Sequence, residues 1–225
     1  MTRAGFGLRA SGLGRIVLVL VLVLVLDRRA HADPSNTTLV YVGLGMAPVD
    51  YLAGVSLHEG SHGLAAWLVG ADVEELHVFP PGIDPHSQRF RFGWTYVRGL
   101  RDDGDKVFFY LAPKISDLAL LGGFAALVYT GAWPSDRYGQ LALTVVGTGL
   151  WVDFAKDVVP LGRGDDVSIA LQVAGISGWR EVSVRLLYAA ADVGLAFVVA
   201  HGYDRTFDHA PTSTALTLPL FTTRF

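Results

Sequence analysis

Four long apolar segments constrain the fold of this 225-residue chain more than any other feature. Each is close to the roughly 20 residues that a helix needs to cross about 30 Å of hydrocarbon. We therefore predict an all-α membrane bundle of about four transmembrane helices. The first segment is longer than one span needs, so Pro48 is expected to begin a fresh helix within it. The segments run from about Leu39 to Val69, Val107 to Ala132, Tyr138 to Val159 and Val182 to His201.

The composition favours the same class of protein. Only 17% of the residues are charged, against about a quarter in soluble domains. The net charge of -3 and the lack of any Lys/Arg-rich run argue against a nucleic-acid partner. Cysteine is absent, so a metal site would have to use His, Asp or Glu side chains. We expect an integral protein of a bacterial inner membrane, with the lipid bilayer as its surroundings.

Residues 1–32 have the pattern of an export signal. Arginines precede an uninterrupted Ile/Val/Leu run from Ile16 to Leu26, and this run is too short to span a bilayer as a helix. Ala30 and Ala32 then provide the small residues that signal peptidase accepts. Arg28 and Arg29, just after the run, leave an uncleaved N-terminal anchor as the alternative.

A different kind of sequence separates the first two apolar segments. Pro80-Pro81-Gly82 is a turn signal, and aromatic residues then occupy alternate positions from Phe90 to Tyr96. Period-two aromatics indicate strands, so we predict a small β-hairpin or sheet over about residues 73–98. This insertion belongs to a membrane-embedded domain over residues 33–207. Residues 208–225 are rich in Thr and Pro and are expected to form an extended tail.

The strongest chemical signal is His58-Glu59-Gly60-Ser61-His62. On a helix, residues four apart lie on one face, so both imidazoles can reach one ion. Glu59 is then placed to take a proton from a metal-bound water, as in His-Glu-x-x-His metallopeptidases. The alternative without a metal is a helix whose three polar residues are simply exposed to water. The apolar neighbours of the motif disfavour it, because ionisable groups at membrane depth need partners.

A catalytic zinc ion needs a third protein ligand and an open position for water. A histidine in a polar loop is more often solvated than bound to metal, which favours the aspartates after the third apolar segment. Asp153 is the competing candidate, because it would lie on the third helix itself. The candidates by residue type are His77, His86, Asp153, Asp157, Asp165 and Asp166.

Other ionisable residues lie inside the apolar segments. Lys114 and Asp117 are three apart and are expected to pair within the second helix. Pro113 beside them is expected to kink that helix and to expose backbone carbonyls to the site. Asp192 in the fourth segment has no obvious partner. We interpret these side chains as structural polar contacts.

These motifs resemble those of the site-2 protease family of intramembrane zinc peptidases. That family carries His-Glu-x-x-His on one membrane helix and a second motif, like Asn-Leu-Leu-Pro-x-x-x-x-Asp-Gly, after the third core helix. Over residues 157–166 this chain has Pro160 at the proline and Asp165 at the metal-binding Asp. Asp157 stands at the family's Asn and Asp166 at its Gly. The resemblance covers about residues 48–167 and implies that Asp165 is the third zinc ligand, beside His58 and His62.

The resemblance also implies a function. It is that of a zinc-dependent, membrane-embedded endopeptidase, with Glu59 as general base and a membrane-associated protein or peptide as substrate. The predicted sheet could hold an extended substrate by strand addition. Two alternatives remain open. One is an exported, peripheral zinc peptidase that uses His77, His86 or a glutamate as third ligand. The other is a non-catalytic membrane protein that keeps the fold for binding.

Overall fold

A computed structural model describes residues 33–158 and 164–207 of the chain. The predicted signal or anchor (1–32), the predicted tail (208–225) and Pro160 lie outside the described residues. The described part is mostly helical, with a small strand insertion between the first two helices, as predicted. Its elements are α1 (Asn36–Leu68), β1 (Asp72–His77), β2 (Gly82–Ile83), β3 (Phe90–Arg91), β4 (Trp94–Arg98), α2 (Asp103–Tyr129), α3 (Arg137–Ala155), α4 (Asp166–Val173) and α5 (Trp179–Phe207).

Helix α1 is continuous, and the expectation that Pro48 begins a fresh helix is wrong. The helix begins instead after Ser35, whose side chain accepts a hydrogen bond of 3.1 Å from the backbone N–H of Thr38. The three residues before Pro48 are Gly, Met and Ala, which offer no capping oxygen for a second helix start. Pro48 therefore costs α1 one internal hydrogen bond without ending it. With 33 residues, α1 is about 50 Å long.

Three helices in the described part of the chain are long and apolar enough to cross a membrane: α1, α2 and α5. Helix α3 is not among them, so the predicted count of four spans is not confirmed. Its 19 residues include Arg137 and Asp153, which lower its mean hydropathy. Large apolar side chains face outward on the longer helices, among them Trp67 at 71% and Leu187 at 73% exposure. Such exposed apolar faces are typical of surfaces that contact lipid.

The helices pack closely around a buried apolar core. The ring of Phe124 on α2 fits between Gly147 on α3 and Gly202 on α5. A Cβ at Gly147 would lie 2.9 Å from that ring, and one at Gly202 would lie 2.7 Å from it. Small residues allow helix backbones to approach in this way. The buried core consists of Leu121, Phe124, Val128, Trp133, Leu150, Phe154 and Val199.

The strand insertion consists of two antiparallel pairs, β1 with β4 and β2 with β3. The register of the first pair shifts between Val73 and Glu75, which marks a β-bulge. Strands β1 and β4 both pack against α1. The insertion therefore covers the half of α1 that carries the His-Glu-x-x-His motif.

Candidate metal centre

Two histidines of α1 and one aspartate of α4 converge on a single point. The Nε2 atoms of His58 and His62 lie 3.0 and 3.4 Å from the same oxygen, Oδ2 of Asp166. One ligand atom from each residue lies within 4.8 Å of the others. Both histidines are buried and Asp166 is half-buried. Two imidazoles and one carboxylate form the donor set of many catalytic zinc sites, so these residues could hold such an ion.

The aspartate in this group is not the predicted one. Asp165 is the N-cap of α4: its Oδ1 accepts a hydrogen bond of 2.7 Å from the backbone N–H of Ser168. Its Oδ2 accepts a second bond, of 2.5 Å, from the Ser168 hydroxyl. Asp166 is the first residue of the helix and points toward α1 instead. Both oxygens of Asp165 are thus engaged by its own helix, and among the described residues Asp166, not Asp165, joins the two histidines.

The ring of His62 is held by a backbone carbonyl. Its Nδ1 lies 2.8 Å from the carbonyl oxygen of Phe109, which can only accept, so Nδ1 donates to it and Nε2 is the nitrogen that faces Asp166. This carbonyl is available because Pro113, four residues later, has no N–H to donate to it. Exposure of a carbonyl by Pro113 was predicted from the sequence. The Phe109 ring also packs on the imidazole, with a centroid distance of 4.6 Å.

The ring of His58 is held by a carboxylate instead. Its Nδ1 lies 2.8 Å from Oδ2 of Asp153, near the end of α3. Asp153 therefore stands behind His58, on the opposite side of the ring from Asp166. This is the arrangement by which outer carboxylates orient metal-binding histidines. The alternative in which Asp153 is itself the third ligand does not agree with this placement.

Asp153 belongs to a group of charged side chains that we call the charged wall: Lys114, Asp117, Asp153, Lys156 and Asp157. The Lys114 ammonium lies 3.7 Å from Asp117, 3.3 Å from Asp153 and 3.0 Å from Asp157. It also donates to the backbone carbonyl of Asp153. Lys156 contacts the other oxygen of Asp153 at 2.6 Å. The predicted pair of Lys114 and Asp117 is thus part of a larger network.

Glu59 lies beside the two histidines and is held by the strand insertion. Its Oε2 accepts a hydrogen bond of 2.8 Å from the hydroxyl of Thr95 on β4. The backbone of Gly93, just before β4, passes directly over Glu59. A Cβ at Gly93 would lie 2.8 Å from Glu59 Cγ and 2.8 Å from Val55 Cγ1. Glycine is therefore required for this close approach.

Two cavities meet at these residues. One, of about 660 Å³, lies between α1, α3 and the β3–β4 connection. The other, of about 470 Å³, lies between α1, the insertion and α2. Both are lined by His58, Glu59 and Asp166, so the candidate centre is accessible from two sides. A cavity of this size suits an extended ligand with room for water.

The histidines of the insertion have other roles. His77 stacks on Trp94 at 3.8 Å and donates through Nε2 to the carbonyl of Pro80. His86 packs on Tyr96 at 4.1 Å and lines the smaller cavity. Among the residues with described positions, neither belongs to the group that could hold a metal ion. The carbonyl partner of His77 shows that it is a satisfied structural histidine.

A buried carboxylate gives the insertion its own polar core. Asp84 accepts hydrogen bonds from Tyr96, Ser87 and the backbone N–H of His86, and Arg91 lies 3.1 Å away. Burial alone raises the pKa of Asp84, but the hydrogen bonds outweigh burial and hold it below its usual range. Burial and the bond to Asp84 raise the pKa of Tyr96 to about 12. This cluster stabilises the loop that carries the cavity wall.

Sequence reasoning missed Thr95 and Gly93 altogether. Both lie in the aromatic stretch, where alternation was the only feature considered. A glycine within a run of strand-forming residues is a signal of close backbone approach and could have identified Gly93. A hydroxyl partner for Glu59 has no comparable signal, because it comes from an element 36 residues away.

Comparison of the chain with family models, curated proteins and solved structures finds no match.

Proposed function

We propose that this protein is a zinc-dependent, membrane-embedded endopeptidase that hydrolyses a peptide bond in a membrane-associated protein. The observation that carries the proposal is the convergence of His58 and His62 Nε2 on Asp166, beside Glu59 and between two cavities. The three apolar helices of spanning length support the membrane location. A buried acid and two histidines in such a helix are costly unless they serve a function.

His58, His62 and Asp166 would hold Zn²⁺, and the outer partners of both histidines suit this role. Each Nδ1 is occupied, by Asp153 or by the Phe109 carbonyl, which leaves each Nε2 free for the ion. Zinc in such a site lowers the pKa of its water to about 7 and polarises the scissile carbonyl. The site in the described structure has space for that water, since two cavities reach it.

Glu59 acts as the general base. Its carboxylate accepts a proton from the attacking water while the water oxygen bonds to the carbonyl carbon. As the C–N bond breaks, the same group returns the proton to the leaving amine. The hydroxyl of Thr95 donates to Oε2 and so orients the carboxylate, leaving its other oxygen for the water.

The insertion would hold the substrate in an extended form. Each sheet in the described chain has two strands, so β3 and β4 keep one edge each without a strand partner. Arg91 at the end of β3 and Gly93 before β4 line both cavities. A peptide paired with such an edge would be unwound, as attack on its amide requires.

The test is cleavage of a labelled single-span peptide by the purified, zinc-loaded protein in detergent. Glu59→Gln should retain about one equivalent of zinc and lose activity by about 10²- to 10⁴-fold, because the amide cannot accept the proton. The double change His58→Ala and His62→Ala should abolish zinc binding. Near-normal cleavage by Glu59→Gln, or stoichiometric zinc in the double variant, would refute the proposal. Zinc binding without any cleavage would favour a non-catalytic binding protein.

A further inference from the structure

One carboxylate in the larger cavity takes no part in the candidate centre. Asp50 lies on α1, eight residues before His58, which corresponds to about 12 Å along the helix. Both residues line the 660 Å³ cavity. The cavity wall around Asp50 is formed mainly by small and apolar residues, including Ala47, Gly54 and Gly149.

A glycine on the opposite helix, α3, leaves the space that the Asp50 carboxylate occupies. A Cβ at Gly149 on α3 would lie 2.3 Å from Oδ2 of Asp50 and 3.0 Å from Oδ1. Any larger residue at position 149 would therefore displace the carboxylate. The side chain of Asp50 is thus built into the cavity wall between α1 and α3.

Asp50 lacks the lysine partner that three other acids of the bundle share. Asp117, Asp153 and Asp157 each lie close to Lys114. Among the residues whose positions are described, none forms a hydrogen bond or an ion pair with Asp50. It is half-buried in a helix that is apolar enough to cross a membrane. A carboxylate without a partner at such a position points to a ligand.

The charge of the cavity indicates the kind of ligand. Six acidic side chains line it, against two basic ones, Arg91 and Lys156. Both basic groups already pair with an aspartate, Arg91 with Asp84 at 3.1 Å and Lys156 with Asp153 at 2.6 Å. The negative charge at Asp50 is therefore not neutralised by them. A cavity lined by more acidic than basic side chains attracts ligands of positive charge.

We propose that Asp50 forms a subsite for a cationic side chain, Lys or Arg, of the substrate. The proposal rests on the proposed function, because the ligand is taken to be the peptide that is cleaved. An extended chain advances by about 3.3 Å per residue, so the 12 Å separation places the cationic residue about three or four positions from the scissile bond. Asp50 is thus a specificity-determining residue, and the preferred substrates carry a basic residue near the cleavage position.

The test measures binding separately from cleavage. N-acetylated, fluorescent 12-residue peptides would carry Lys, Gln or Glu at one scanned position and be titrated into the zinc-loaded Glu59→Gln protein. We expect Lys at one position to bind about tenfold more tightly than Gln, as a hydrogen bond to a charged group allows. Asp50→Asn should remove this preference and Asp50→Lys should transfer it to Glu. Asp103→Asn, which changes an exposed aspartate outside the cavity, is the matched control.

Gly149→Ala provides an independent check, because the new Cβ would displace the carboxylate without changing the charge. It should weaken the preference for Lys while the zinc content stays normal.

Equal binding of all three peptides, or a preference that survives in Asp50→Asn, would overturn the subsite. Charge-selective binding without zinc-dependent cleavage by the unmodified protein would refute the proposed function and leave the subsite. Cleavage without charge selection would refute the subsite and leave the proposed function.

Discussion

The two histidines of α1 lie one turn apart, but different kinds of groups hold their rings in place. His58 contacts the charged wall through Asp153, whose oxygens also contact two lysines. His62 contacts what we call the neutral wall, which consists of Phe109 and Pro113 on α2. Both walls occupy Nδ1 and leave Nε2 facing Asp166. The same ring orientation can therefore be produced by charge or by backbone geometry alone.

The difference lies in how each wall responds to change. Removing one member of a buried ionic group leaves another charge uncompensated, at a cost of about 3–5 kcal/mol. The effect of a substitution in the charged wall should therefore reach beyond His58 to the packing of α2 against α3. The Phe109 carbonyl is neutral, and replacing Pro113 would supply a backbone N–H that can pair with it inside the helix. Changes in the neutral wall should stay local to His62.

The largest expected effect concerns Asp166, the aspartate that both histidines face. Asp166→Ala should lower zinc affinity by more than about a hundredfold, the upper limit for loss of an outer partner. Asp165→Ala should leave zinc affinity nearly normal and cost about 1 kcal/mol of stability, because it removes only a helix cap. Competition with a chromophoric chelator measures the first quantity and denaturant unfolding the second. The opposite pattern would restore Asp165 as the ligand.

An intermediate effect is expected from the charged wall. Asp153→Asn keeps an oxygen for His58 Nδ1 but removes the charge between Lys114 and Lys156. Zinc affinity should fall by about 10- to 100-fold, and the free energy of unfolding should fall with it. Asp103→Asn, in an exposed pair with Lys106, is the control and should change neither quantity. Unchanged zinc affinity in Asp153→Asn would mean that the charged wall does not orient His58.

The smallest effect should come from the neutral wall. Pro113→Ala supplies an N–H that can pair with the Phe109 carbonyl and compete with His62. Zinc affinity should fall by about tenfold or less, while the free energy of unfolding stays equal or rises as the helix gains a bond. Pro48→Ala in α1 is the matched control, since no histidine with a described position contacts the carbonyl four residues before it. Equal affinities in the two proline variants would show that the neutral wall has no influence on the metal.

Much of the fold could be predicted because its signals are local. The strand insertion follows from a turn signal and alternating aromatics, and the exposed carbonyl of α2 follows from the missing N–H of Pro113. Pro48 was misinterpreted for an equally local reason: the residues before it lack a capping side chain, which Ser35 provides at the true start. The count of spans could not be settled by apolar length, because polar residues within α3 lower its mean hydropathy.

In the candidate site, too, some features follow from local sequence and others only from tertiary packing. The sequence by itself determined that His58, Glu59 and His62 share one stretch of helix, because the period of a helix is set by its backbone bonds. Only the tertiary structure decided which aspartate meets them, since two neighbouring carboxylates have nearly the same spacing and only one can cap α4. It also decided that Asp153, Thr95 and Gly93 surround the motif. Those residues come from elements far apart along the chain, and their meeting depends on how helices and strands pack.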